Sequence, residues 1–150
     1  MNTKIKNILR ILFFYCFGGG VYMTMELVYR QYTDYTMFYL SGFLALIILL
    51  CNNWLSYDMD FLIQVFICGT CIVISELICG LIINADYHVW DYRNLPLHYK
   101  GQIQLYFAFI WYLLSAIFIP VLDYIDYYIF TDNNKQKPYY KMFGKTIKLF

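Results

Sequence analysis

The stretch FLIQVFICGTCIVISELICGLII, residues 61–83, decides the fold. At about 1.5 Å per residue it is long enough to cross a hydrocarbon core of roughly 30 Å, and Glu76 is its only charge. A central acidic residue costs about 2.5–3.5 kcal/mol on insertion scales, so it normally faces a bundle interior with a partner and marks a site by default. Gly69, Glu76 and Gly80 recur at i, i+7 and i+11 and share one helix face, small and polar, suited to close packing. A polar, aromatic loop, NADYHVWDYRNLPLHYK, follows, and Gly101 opens the next apolar run.

The rest of the chain has the same character. Of 150 residues, 61% are hydrophobic, 22% aromatic and only 14% charged, which points away from a soluble globular domain and toward a membrane protein. A net charge of +1 supplies no global field for nucleic acid, and none is expected as a partner. The five cysteines, Cys16, Cys51, Cys68, Cys71 and Cys79, lie in or at the ends of apolar runs, unlike a secreted disulfide framework. Lys4, Lys6 and Arg10 precede an apolar stretch that continues past Gly18–Gly20 without a small-x-small site, so the first span is read as uncleaved.

Four segments are long enough to cross, at about 8–29, 37–55, 61–83 and 103–122. The expected fold is all-α: a polytopic membrane protein with four transmembrane helices as two tandem hairpins over residues 1–130. A basic amphipathic tail, 131–150, follows. Of eleven basic residues, Lys4, Lys6, Arg10, Lys135, Lys137, Lys141, Lys145 and Lys148 flank the bundle at its termini, against Arg30, Arg93 and Lys100 in the first and third loops. The positive-inside rule therefore places both termini in the cytoplasm. Pro120 is expected to kink or end the fourth span. In the tail, Tyr139, Phe143, Ile147 and Phe150 recur at helical spacing beside Lys141, Lys145 and Lys148, which predicts an interfacial segment held by lipid.

A repeat lies under this order. Gly19 and Glu26 have the seven-residue spacing of Gly69 and Glu76, and each pair leads through Asp-Tyr (Asp34-Tyr35, Asp91-Tyr92) to a glycine of the next helix (Gly42, Gly101). Two hairpins of equal orientation imply a pseudo-twofold axis along the membrane normal, with Glu26 and Glu76 at similar depth. Arg30, four residues after Glu26, is its local partner. Glu76 has Gly80 at that position, so its candidates are Arg30, Arg93, the Trp90 indole and tyrosines such as Tyr22. The candidate ligand or ion site comprises Glu26, Glu76, Arg30, Trp90, Asp91, Tyr92 and Arg93; the competing role for a Glu–Arg pair is to lock the bundle. Trp90 and Tyr92 equally suit an interfacial aromatic belt.

Other motifs carry less. His88 and His98 match no metal spacing, and no metal or cofactor is expected. Cys68 and Cys71 form C-x-x-C, but mid-span placement denies a thiolate both access and an electron relay, so small packing residues are the favoured reading.

At Glu76, Gly80, Asn84, Trp90-Asp91-Tyr92, Asn94, Pro96, Leu97 and Gly101-Gln102-Ile103 the chain resembles small bacterial membrane proteins described as ABC-transporter permeases of the CmpB type. Through the same Glu, Gly and Trp-Asp-Tyr pattern it is distantly similar to the animal transmembrane-protein-229 family. The resemblance spans roughly residues 17–128. Arg93 and His98 depart from the serine and asparagine usual at those positions. The resemblance implies a bacterial cytoplasmic membrane and a permease subunit of unspecified substrate, not itself an enzyme. With no G-x-x-x-x-G-K-[ST] phosphate loop, ATP hydrolysis would fall to an ATP-binding partner, and four spans imply a homo- or hetero-oligomer. Competing expectations are a non-transporting accessory or scaffold with another membrane protein and, behind it, a membrane thiol oxidoreductase.

Overall fold

The computed structural model describes residues 3–131 and 136–148. Apolar runs without a β-branched or glycine interruption long enough to break them become four helices: α1 (Thr3–Arg30), α2 (Tyr35–Trp54), α3 (Phe61–Ile82) and α4 (Leu105–Ile125). All four are long and apolar enough to cross a bilayer. Short side chains start three of them. Asp34 Oδ1 accepts from the Thr36 amide at 2.8 Å, Asp60 Oδ1 from Leu62 at 2.9 Å, and Gln104 Oε1 from Tyr106 at 2.7 Å, each satisfying an amide the helix leaves open.

α1 packs against α2 and α3 against α4, with α2 at the centre touching both α3 and α4. Glycine permits the first pairing: a Cβ at Gly18 would lie 2.3 Å from Ala45 Cβ, and one at Gly42 would lie 2.7 Å from the Tyr15 carbonyl. In lipid, where apolar burial does not separate a helix neighbour from a lipid tail, such close approach is what holds helices together. In the second pairing the Tyr112 ring seats on Gly69. The core runs through Phe14, Leu44, Ile48, Cys68, Ile72, Ile119 and Leu122. Outward residues such as Ile8, Leu12, Phe66, Ile78, Phe109 and Ile117 remain exposed, as lipid-facing positions should.

Pro120 does not end the fourth span. α4 runs through it to Ile125 and continues as one π-helical turn, Asp126–Phe130. Proline removes a single amide from the ladder, and α2 adds a tie beside it: Asn52 Nδ2 donates to the Ile119 carbonyl at 2.9 Å.

The end of the bundle that carries both chain termini is tied by polar contacts. Arg10 grips both carboxylate oxygens of Asp126 and donates to Asn53 Oδ1 at 3.1 Å. Tyr57 and Tyr140 donate to the two oxygens of Asp123 at 2.9 and 2.8 Å. The tail corrects its expected helical spacing: β3 (Tyr140–Met142) and β4 (Lys145–Ile147) form an antiparallel hairpin. Phe143 and Gly144, at φ 51° and 75°, make the two-residue turn between them, a left-handed pair that suits strand twist. Lys141 pairs with Asp58 at 2.6 Å and the Phe143 amide donates to Asp60 at 2.9 Å, so this segment docks on protein at the 55–60 loop. Lys135 and Phe150, which entered the sequence reading, lie outside the described residues.

Candidate functional site

At the opposite end the 83–104 loop folds back over the α3–α4 pair, and three buried amides build it. Asn84 Oδ1 accepts from the Val89 amide at 2.8 Å, while its Nδ2 donates to the Trp90 carbonyl at 2.6 Å and Gln102 Oε1 at 3.0 Å. Gln102 Nε2 returns a bond to the Asn84 carbonyl at 2.9 Å, and Gln104 Nε2 donates to the Pro96 carbonyl at 2.9 Å. A short hairpin, β1 (His98–Tyr99) with β2 (Ile103–Gln104), turns through Lys100 and Gly101 at positive φ. Gly80 is required beneath it, since a Cβ there would meet Gln102 Oε1 at 2.6 Å.

Trp90 belongs to this frame. Its indole donates to the Gln102 carbonyl at 3.0 Å and so does not serve Glu76. Asp91 and Arg93 pair with each other on the surface, Arg93 Nη2 to Asp91 Oδ2 at 2.8 Å, and Arg93 lies over the Tyr87 ring at 3.9 Å. The guanidinium holds the Asp91 carboxyl down at about 2. Arg93 is therefore not the cation for Glu76 either. His88 Nδ1 pairs with Asp86, which raises the imidazole above its ordinary value.

Under the loop, five of the side chains around the two glutamates converge. Glu26 accepts from Arg30 Nη2 at 2.6 Å and from the Thr33 hydroxyl at 2.6 Å, so the local ion pair expected from i, i+4 spacing is formed and a third group closes it. Glu76 is 5% exposed and accepts from Trp111 Nε1 at 2.7 Å. That partner, on α4, escaped the sequence reading, which considered Trp90 instead. No salt bridge reaches Glu76 among the described residues. Tyr22 stacks on Trp111 with ring centroids 5.9 Å apart and lies beside Glu26 and within electrostatic range of Glu76. Tyr92, stacked on Phe107 at 4.9 Å, comes within range of both glutamates; burial and then Glu76 hold its phenol above the ordinary value. Glu26, Arg30, Glu76 and Tyr92 of the expected set thus come together, while Trp90, Asp91 and Arg93 stand apart as frame and surface.

Below the stacked pair lies an apolar cavity of about 50 Å³ where all four helices meet. Tyr22 and Trp111 wall it together with Gly18, Ala45, Ile72 and Phe118. Tyr22 and Trp111 are therefore shared by the cavity and the carboxylate site. Farther along the bundle, Cys51 lies beside Cys68 and Cys71, a grouping of α2 with α3 that C-x-x-C spacing alone does not disclose.

Four apolar helices around a carboxylate held by an indole, capped by a hydrogen-bonded loop, define a polytopic α-helical membrane protein. Its family is specific: the chain belongs to the family described as "Putative ABC-transporter type IV" (CmpB), whose model matches residues 10–144. No curated protein and no solved structure matches it.

Proposed function

We propose that this chain is the membrane-embedded permease subunit of a transporter, working with an ATP-binding subunit, and that the Glu76 cluster is where a solute or proton is held. The observation that carries the proposal is Glu76 itself, a buried carboxylate answered by one neutral donor. A carboxylate retained only to lock a bundle is expected to have a cation, as Glu26 has in Arg30. A site that must take up and release a positive group has reason to lack one. Membership in an ABC-transporter-type family supports the assignment.

On this reading the end bearing Arg10, the 55–60 loop and the tail faces the cytoplasm, as the basic residues at the termini favour. The Glu76 cluster then lies in the outer half. Whether Glu26 and Glu76 descend from duplicated halves is part of the same proposal, supported by their matched spacing to Gly19 and Gly69. The test is purification from the native membrane in mild detergent, followed by mass spectrometry of the co-eluting proteins. An ATP-binding subunit in the eluate is expected. A chain that elutes alone, or with an unrelated membrane complex, overturns the permease role in favour of an accessory one.

A further inference from the structure

The glutamate, its aromatic neighbours and the cavity beneath them define a ligand more closely than the transport reading does. We infer that the Glu76 cluster binds a free ammonium compound bearing a short alkyl group, the cation against Glu76 and the alkyl group in the apolar cavity. The inference rests on the proposal that Glu76 holds a positive group, and it adds the chemical class.

Three observations converge on that class. The first is charge. Glu76 is 5% exposed and accepts from Trp111 Nε1, with no salt bridge among the described residues, so an incoming cation supplies the charge complement the fold omits. The Trp111 N–H then acts as a neutral stand-in that a ligand N–H replaces. The second is the wall. Tyr22 and Trp111 are stacked, at 5.9 Å and 17°, and Tyr92 lies within electrostatic range of Glu76. Trp111 meets Glu76 with the N–H edge of its ring and Tyr22 lies flat against Trp111, so the aromatic groups wall the carboxylate from water and lower the dielectric in which a cation would meet it.

The third is the cavity. Its lining is apolar, and Tyr22 and Trp111 belong to both the cavity and the carboxylate site. A water needs about 10–15 Å³ by this kind of measure. At about 50 Å³ the cavity accepts a short alkyl segment. A hydrated inorganic cation would gain nothing from such walls.

The experiment is fluorine NMR on protein carrying 5-fluorotryptophan, in phosphatidylcholine nanodiscs. The chain's three tryptophans give three signals, assigned by single replacement with phenylalanine. Titration with butylammonium is expected to shift the Trp111 signal saturably and leave Trp54 unmoved, while butanol and butyrate at equal membrane loading leave Trp111 in place. Equal shifts from butanol, or no selective shift at Trp111, overturn the inference on the wild-type protein alone. In Glu76→Gln the butylammonium affinity should fall at least tenfold; an unchanged affinity overturns the role of the carboxylate. Tyr22→Leu keeps the charge and should weaken butylammonium about fivefold, which covers the case of a Glu76→Gln protein that does not fold. A Trp111 shift produced by phosphatidylethanolamine nanodiscs without added amine would overturn the free-ligand assignment in favour of a lipid headgroup. Co-purification of an ATP-binding subunit is read separately, so failure here leaves the permease reading standing and its failure leaves this binding result intact.

Discussion

The two helical hairpins each carry one glutamate near the same end of the bundle, and they answer it in opposite ways. In the first, Glu26 meets Arg30 one turn along its own helix and Thr33 just beyond, a network closed within eight residues of chain. In the second, Glu76 reaches across to another helix for the indole of Trp111, and no cation follows among the described residues. The difference separates holding from binding. A carboxylate with its own guanidinium has little left to offer a ligand, whereas one with a single neutral donor keeps most of its charge uncommitted.

The contrast breaks most visibly at Trp111. Trp111→Phe leaves a buried carboxylate without its donor and is expected to destabilise the bundle by about 2–3 kcal/mol; unfolding of the purified protein in detergent measures it, and a loss below about 1 kcal/mol would mean that Glu76 has another partner. The same change in a Glu76→Gln background should cost less, because the charge that needed the indole is gone. At the first hairpin, Arg30→Ala is expected to cost under about 1 kcal/mol, since Arg30 is 38% exposed and solvent screens the pair. A cost equal to that at Trp111 would erase the distinction between the hairpins. The smallest effect is at the rim of the loop. His88 should titrate above its ordinary value by NMR and fall toward it in Asp86→Asn, because the carboxylate that contributes most to stabilising imidazolium has been removed.

How much of this the sequence disclosed depends on how local the cause is. The helices were legible because four apolar runs of membrane length leave little alternative. The Glu26–Arg30 pair was legible because helical spacing sets it without help from the fold. Trp111 as the partner of Glu76 was not, since its position depends on how α4 rotates against α3, which Tyr112 seated on Gly69 fixes. The signal is an indole on the neighbouring span, whereas the candidates that sequence offered were Arg30, Arg93, the Trp90 indole and tyrosines such as Tyr22. Asn84 and Gln102, read only as parts of a family pattern, and Gly80, read as part of a small helix face, turn out to be the joint of the loop. The tail misled by periodicity: Tyr139, Phe143 and Ile147 suit a helix, but two left-handed residues at Phe143 and Gly144 turn the chain back on itself.

That tail also bears on the order in which the molecule is made. The β3–β4 hairpin follows all four helices in the chain, yet it supplies the partners of Asp58 and Asp60 through Lys141 and the Phe143 amide. While the ribosome is still extending the chain past α4, the spans can already be in the bilayer with those two carboxylates facing water. Cover over the 55–60 loop therefore waits until residues 140–147 have been made, after all four spans.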